Sequence, residues 1–179
     1  MSEGIADEMD TIKALEWVLS LNPDVINISM GIFRDCDGTC PLCRAVNAIL
    51  DAVAVVASGN EGPSENSINC PGNAERALTV GAIYKDKIMD MSSRGSKNRL
   101  KPDVVAPGKI EIGRFSVSGT SISTPLVSGS LALLLSVRND KIKAIDSLKE
   151  TAEDLGFEPW EQGVGKIRVD NALKIIKNG

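Results

Sequence analysis

The 179-residue sequence predicts an α/β fold, a three-layer sandwich in which helices cover both faces of a mainly parallel sheet. Two observations carry this prediction. Four short segments rich in Val, Ile and Ala are apolar on both faces, as buried parallel strands are. These segments alternate with longer segments whose apolar residues recur at helical spacing. No linker-like stretch interrupts the chain, so residues 1–179 are predicted to form one domain.

In chain order, the first predicted helix spans residues 5–21, and Asn22-Pro23 ends it. The first strand, residues 24–30, runs as far as Gly31. A helix over 42–50 leads to the second strand, 52–58, which Gly59 interrupts.

The third predicted strand spans residues 78–83 and the fourth 104–106, closed by Pro107-Gly108. The last three elements are helices, which are predicted over residues 121–137, 141–153 and 169–176.

Composition excludes several classes of partner. The net charge is −4, and the Lys and Arg residues are scattered, so neither a nucleic acid nor an anionic membrane is an expected partner. The apolar run Leu131–Leu135 is far shorter than a bilayer span. The first four residues show no signal-peptide pattern, which leaves the localisation undetermined.

The most informative segment is Gly119–Pro125, which leads directly into the apolar helix. Thr120, Ser121 and Ser123 are residues that can cap a helix, and proline is tolerated in a first helical turn. A serine at this place has free backbone N–H groups and the positive end of the helix dipole beside it. Both features stabilise an oxyanion next to a serine nucleophile.

A second candidate follows the second predicted strand, where Asn60 lies in the sequence Ser-Gly-Asn-Glu-Gly-Pro. Taken alone, Gly, Asn and Pro indicate only a turn. Beside the serine segment, the amide of Asn60 becomes a candidate donor to a tetrahedral oxyanion.

Residues 119–125 resemble the nucleophile motif of subtilisin-like serine proteases, and four further segments resemble that family in the same order. The resemblance covers about residues 5–175. The four segments, quoted as they stand here, are VINISMG at 25–31, ASGNEG at 57–62, the stretch from CPGN to VGA at 70–82, and KPDVVAPG at 101–108.

The resemblance implies a partial subtilisin-like fold and peptide-bond hydrolysis through a serine acyl-enzyme, acting on a peptide or protein substrate. In that reaction Ser121 is the nucleophile, and Asn60 with the Ser121 backbone N–H binds the oxyanion. The residues to which the resemblance assigns substrate contacts are Ser29, Met30, Gly31, Ala57, Ser58, Gly59, Pro71, Gly119 and Thr120.

The sequence departs from the family in its acid and base. It contains no histidine, and no motif resembling the family's catalytic Asp and His segments precedes residue 24. Ile122 and Ser123 replace the usual Met and Ala, which removes no reacting group. We therefore expect the later half to two-thirds of a catalytic domain, inactive alone. The family is commonly secreted, but the localisation of the parent protein stays undetermined. The alternative is a non-catalytic interaction domain.

Four cysteines form a further group, Cys36, Cys40 and Cys43 in one loop and Cys70 after the next strand. Both loops leave the same end of the predicted sheet, so the sulfurs could converge. Disulfides are the first expectation, because the family is commonly secreted and oxidising compartments favour them. A structural zinc ion bound by four thiolates, for which Cys40-Pro-Leu-Cys43 has ligand spacing, and free thiols are the alternatives. We expect at least one bonded pair or a bound metal. No cofactor is required for the expected chemistry.

The absence of the family's upstream segment also predicts self-association. Strand 24–30 would lie at a sheet edge with unpaired backbone groups and no charge from Val25 to Met30. We expect a homo-oligomer through this edge. The alternative is a monomer in which residues 1–21 fold back over the gap.

Overall fold

The computed structural model describes residues 7–178. It contains a five-stranded sheet, a two-stranded hairpin and six helices among these residues. The strands are β1 (Val25–Ile28), β2 (Val53–Ala57), β3 (Leu78–Tyr84), β4 (Lys87–Ile88), β5 (Val104–Pro107), β6 (Lys109–Ile112) and β7 (Phe115–Ser118). The helices are α1 (Glu8–Leu19), α2 (Pro41–Asn47), α3 (Thr120–Val137), α4 (Lys141–Glu150), α5 (Pro159–Gln162) and α6 (Val169–Asn178).

The main sheet is parallel apart from β4. Strand β1 pairs with β2, β2 with β3, and β3 with β5, all in parallel, whereas β4 returns antiparallel to β3. In the register, Val25 lies opposite Val53 and Val80 lies opposite Val104. All four strands predicted from the sequence are therefore present, and the carboxyl ends of β1, β2 and β3 lie at one edge of the sheet.

Two hydrophobic cores flank the sheet, because alternate residues of a strand face opposite sides. Val53 and Val55 of β2 pack beneath α3, α4 and α6, whereas Ala54 and Val56 face α1 and α2. Burial on both faces explains why β2 is apolar throughout, with every residue buried. The predicted three-layer α/β sandwich is confirmed.

Helix α3 lies against β1, β2, β3 and β5 and fixes the position of Ser121. By length and composition it could cross a membrane, but Val127, Leu131 and Leu134 are fully buried against the sheet. This packing is that of a core helix. The expectation that no membrane or nucleic acid is a partner stays a prediction.

The start of α3 differs from the prediction. Gly119, with φ of 147°, is the N-cap, and no side chain caps the helix. Because the helix begins at Thr120, Pro125 lies in the second turn and not in the first. Since proline has no N–H, the carbonyl of Ser121 has no helical hydrogen bond from it.

Three small features were not predicted from the sequence: β4, the β6–β7 hairpin and the single-turn helix α5. The hairpin lies immediately before the serine segment and pairs Lys109 with Ser118. Its side chains are largely exposed, so the apolar pattern of a buried strand is absent.

Candidate active site

The loop after β2 and the start of α3 are joined by hydrogen bonds through Thr120. The Thr120 side chain is 1% exposed, and its hydroxyl lies 3.3 Å from both the backbone N–H and the carbonyl oxygen of Gly59. The same hydroxyl lies 3.2 Å from Asn60 Oδ1. Residues 58–60 and 119–121, predicted separately from the sequence, are therefore held together as one site.

Ser121 is the second residue of α3 and is partly exposed. Within the described part of the chain, its hydroxyl makes no hydrogen bond, and its backbone N–H has no acceptor. The first N–H groups of a helix have no intrahelical partner, and they lie at the positive end of the helix dipole. A free hydroxyl and an unsatisfied donor thus belong to the same residue.

The amide of Asn60 supplies a second donor. Its Oδ1 accepts a hydrogen bond of 3.0 Å from the backbone N–H of Thr120. Because a backbone N–H can only donate, this bond fixes which amide atom is the oxygen, and Nδ2 remains available to donate. Nδ2 has no acceptor in residues 7–178.

Gly119 shows how closely these groups approach one another. A Cβ on Gly119 would lie 3.3 Å from Asn60 Nδ2 and 3.4 Å from Ser121 Oγ. The Ser121 hydroxyl oxygen and the Asn60 amide donor therefore border the same small space. Glycine is needed there because of the positive φ and this proximity.

The described residues place no base against Ser121 Oγ. The nearest carboxylate in sequence to Asn60, that of Glu61, accepts hydrogen bonds from the Asn60 backbone N–H at 2.7 Å and from the Ser93 hydroxyl at 3.3 Å. The 179 residues contain no histidine. The site therefore holds a free serine hydroxyl and two N–H donors without acceptors, and no histidine accompanies them.

The predicted substrate-contact segments also come together. Ile32 and Cys70 form an antiparallel bridge, with N–H to carbonyl distances of 2.9 and 3.0 Å, which fixes Ser29–Gly31 beside Pro71. Met30 is 52% exposed, whereas Ala57, Ser58 and Pro71 are buried. Nothing in the geometry tests the substrate contacts themselves, which stay predictions.

Asn69 is a site residue that the sequence reasoning missed. A Cβ on Gly59 would lie 2.6 Å from Asn69 Cγ, and a Cβ on Gly31 would lie 3.0 Å from Asn69 Cβ. The side chain is 6% exposed, and its Oδ1 has no hydrogen-bond partner. It packs between the loops after β1 and β2. Nothing in the local sequence distinguishes it from other polar loop residues.

The four cysteines converge beside this site. Their sulfur atoms all lie within 4.8 Å of one another, and all four are free thiols. Cys36 Sγ lies 3.7 Å from Cys43 Sγ, and Cys70 Sγ lies 3.1 Å from Cys40 Sγ and 4.0 Å from Cys43 Sγ. Cys36, Cys43 and Cys70 are buried.

The thiols differ in acidity. Burial acts to raise the pKa of Cys36, but hydrogen bonds from Cys70 and from the Gly38 backbone N–H lower that pKa to about 7. Burial raises the pKa of Cys40 to about 11. A hydrogen bond with Cys43 and burial raise the pKa of Cys70. One thiol of the group is thus the first to ionise.

A free serine hydroxyl on a helix N-terminus, with two N–H donors and the carboxyl ends of a parallel sheet beside it, is the arrangement that a serine hydrolase requires. The comparisons with known proteins are more specific. The family model described as the subtilase family matches residues 1–165. The chain belongs to the subtilase family of subtilisin-like serine proteases.

Curated relatives and solved structures agree with this assignment. The chain is 28% identical to serine protease AprX of Bacillus subtilis (strain 168), over 96% of this chain and 49% of AprX. It is 32% identical to pyrolysin of Pyrococcus furiosus, over 98% of this chain and 17% of pyrolysin. The structure of the prenylagaramide maturation protease PagA is 25% identical with a TM-score of 0.79, covering 98% of this chain and 71% of that chain.

The self-cleaved protease domain of PatA is 29% identical with a TM-score of 0.75, covering 97% of this chain and 69% of that domain. The chain thus spans about half the length of AprX and a smaller part of pyrolysin. The predicted partial subtilisin-like fold is confirmed.

Proposed function

We propose that this chain supplies the nucleophile and the oxyanion-binding groups of a serine endopeptidase. The observation that carries the proposal is the arrangement at the start of α3. The Ser121 hydroxyl is free of hydrogen bonds to residues 7–178, and it borders the same space as the free Asn60 amide nitrogen. Membership of the subtilase family supports the same reaction.

In this reaction Ser121 Oγ attacks the carbonyl carbon of a peptide bond, and its proton passes to a general base. The carbonyl oxygen becomes an oxyanion that accepts hydrogen bonds from the Ser121 backbone N–H and from Asn60 Nδ2. Collapse of the tetrahedral intermediate expels the amine, which takes up the proton, and leaves an acyl-enzyme. Water then attacks the acyl carbon by the same steps and releases the acid.

The general base must come from outside these 179 residues, because they contain no histidine. Without it we expect no measurable turnover, since oxyanion stabilisation and binding alone give a residual acceleration of only about 10³–10⁴ over water. Casein or peptide nitroanilide hydrolysis by the purified chain, lost in Ser121→Ala, would contradict this expectation.

The proposal itself is tested by supplying the missing groups. The chain is fused behind the part of AprX that precedes the aligned region, and hydrolysis of casein and of peptide nitroanilides is measured. We expect activity that Ser121→Ala abolishes. A chimera that is folded by circular dichroism yet inactive would favour the alternative, a non-catalytic domain that binds peptide through the same cleft.

Asn60 gives a second test in the same chimera. Asn60→Ala removes the amide donor, and loss of one such donor typically lowers kcat by about 10²–10³. KM should change little, because the bond strengthens at the oxyanion. Asn98→Ala, at an exposed turn, is the matched control. An unchanged kcat in Asn60→Ala would remove Asn60 from the oxyanion site.

We further propose that the chain, when isolated, associates with itself through the β1 edge. Among residues 7–178, β1 pairs only with β2, so its other side presents unpaired backbone groups. The test of this association is given with the whole molecule below.

A further inference from the structure

We propose that Cys36, Cys40, Cys43 and Cys70 bind one structural zinc ion as four thiolates. The proposal rests on the placement of the four sulfurs and of the groups around them. It does not depend on the proposed peptidase chemistry.

The sulfur positions match a tetrahedral ion. With Zn–S bonds of about 2.3 Å, neighbouring sulfurs of a tetrahedral site lie about 3.8 Å apart. The separations of 3.7 and 4.0 Å from Cys43 Sγ are close to that value, and that of 3.1 Å between Cys40 and Cys70 is shorter. All four sulfurs lie within 4.8 Å of one another, which leaves room for one ion but not for several irons with bridging sulfides.

The backbone around the sulfurs is folded so that N–H groups are directed at them, as in metal sites. The Gly38 backbone N–H lies 3.3 Å from Cys36 Sγ, and the Cys43 N–H lies 3.4 Å from Cys40 Sγ. Backbone N–H groups directed at sulfur favour thiolates and orient them towards a metal. Gly38 has φ of +92°, and a Cβ there would lie 2.6 Å from the Asn73 carbonyl oxygen, so the turn requires glycine.

A cationic side chain lies close to the site. Four thiolates and Zn²⁺ carry a net charge of −2, which is costly to bury without compensation. Arg99 donates a hydrogen bond to the Cys36 carbonyl oxygen, so its guanidinium offsets part of this charge. Arg34, two residues before Cys36, is already paired with Glu8 at 2.7 Å.

The arrangement favours a metal over two disulfides. Each disulfide requires a sulfur separation of about 2.05 Å, so the pairs Cys36–Cys43 and Cys40–Cys70 would both have to close. Two disulfides would need each sulfur to lie close to one partner only, so they do not explain why all four sulfurs lie close together. A single ion bound by all four sulfurs does explain it.

The ion would connect the loop after β1, the start of α2 and the loop that carries Pro71. Cys40 is the N-cap of α2 and Cys43 lies in its first turn, whereas Cys36 belongs to the preceding loop. Cys70 precedes Pro71 and forms the bridge to Ile32. Zinc would thus fix the loop after β1 to the loop that carries Pro71.

Zinc binding would exchange thiol protons for the metal ion. One Zn²⁺ replaces up to four thiol protons, which pass to solvent, and four Zn–S bonds form without a change of oxidation state. Because protons compete with the ion, apparent affinity should fall as the pH falls.

The test uses the full chain, purified under reducing conditions and dialysed against buffer with zinc and then without it. Elemental analysis should find about one zinc per chain, and the four thiols should resist alkylation until a chelator is added. Titration with Co²⁺ should give the thiolate-to-metal charge-transfer absorption of a tetrahedral sulfur site, which one equivalent of Zn²⁺ abolishes.

Variants locate the site. Cys40→Ser changes the least buried ligand and should lose zinc retention and the cobalt spectrum, as should Cys43→Ser. Thr39→Ala, an exposed neighbour that leaves all four sulfurs in place, should keep both. The cobalt titration of the unaltered chain decides the matter if a cysteine variant does not fold.

Three outcomes would overturn the proposal. One is a pair of disulfides in chain purified without reductant, seen as a loss of four hydrogens by intact mass. Another is four alkylatable thiols at saturating zinc. The third is stoichiometric iron with zinc excluded.

Discussion

Thr120 is the residue through which the two halves of the candidate site are joined. Its hydroxyl reaches Gly59 and Asn60, and its backbone N–H orients the Asn60 amide. Thr120→Val keeps the shape but leaves the buried Gly59 N–H without a partner, whereas the Gly59 carbonyl keeps its hydrogen bond from the Ser93 N–H. We expect a loss of about 1–3 kcal/mol in the free energy of unfolding.

Urea denaturation monitored by circular dichroism measures this loss. Thr39→Val, which removes only an exposed hydrogen bond from the Thr39 hydroxyl to Asp37, is the matched control and should change stability by less than about 0.5 kcal/mol. Equal stability of the two variants would mean that the Thr120 hydroxyl does not hold the loop after β2.

At the scale of elements, the segment Lys101-Pro102-Asp103 connects β3, β5 and α4. Lys101 Nζ lies 2.6 Å from Asp103 Oδ2 and 2.7 Å from the Ala77 carbonyl oxygen. Asp103 also accepts a hydrogen bond from the Thr79 N–H and lies 3.4 Å from Lys149 Nζ. The Lys101 and Asp103 side chains are only 10% and 17% exposed.

Lys101→Met should therefore leave a nearly buried carboxylate with only Lys149 as a cation. Breaking one side of a buried pair costs about 3–5 kcal/mol, and the remaining lysine places the expected loss at the lower end. Thermal or urea unfolding measures it against Lys143→Met, an exposed lysine on α4. A loss below about 1 kcal/mol would show that the pair contributes little net stability.

The main elements were predictable because burial imposes a simple pattern. Strands β1, β2, β3 and β5 are covered on both faces, so their sequences are apolar without alternation. The β6–β7 hairpin has little buried surface, so its sequence lacks the apolar pattern of a buried strand. The sequence feature that predicts it is the turn between the two strands. Gly113, with φ of 59°, begins a two-residue loop between alternating segments, which is a hairpin pattern that could have been recognised.

The residues of the candidate site were predictable only in part. Ser121 and Asn60 follow from the serine segment, the turn after a buried strand and the family resemblance. Asn69 could not be found in this way, because its place between Gly31 and Gly59 depends on how two loops pack. The start of α3 was misjudged because a glycine in an unusual conformation took the cap position that hydroxyl side chains usually fill.

For the whole molecule, the free side of β1 is the feature with the largest consequence. Asp24 O accepts the hydrogen bond of Val53 N–H, so the alternate residues Val25 and Asn27 direct their backbone groups away from β2. Helix α1 covers one face of the strand, since Leu15 packs with Ile26 and Ile28. Helix α1 does not form hydrogen bonds with the free backbone groups of β1.

Apolar side chains of α1, of the loop after β1 and of α3 also face solvent. Trp17 is 65% exposed, Met30 52% and Leu126 45%. An apolar surface beside an unpaired strand edge favours association of two copies. A two-fold pairing would place the two copies of Asn27 near each other, because such an interface uses the same patch on both chains.

We therefore expect a mass twice the 19.0 kDa of the monomer in light scattering on a size-exclusion column. Asn27 is exposed, so Asn27→Lys adds a charge at the edge without disturbing the core, and two such charges would face each other in the dimer. The variant should elute as a monomer. Asn98→Lys adds the same charge at a remote exposed turn and should remain dimeric. A 19.0 kDa mass for the unaltered chain across the micromolar range would show instead that the edge stays unpaired in solution.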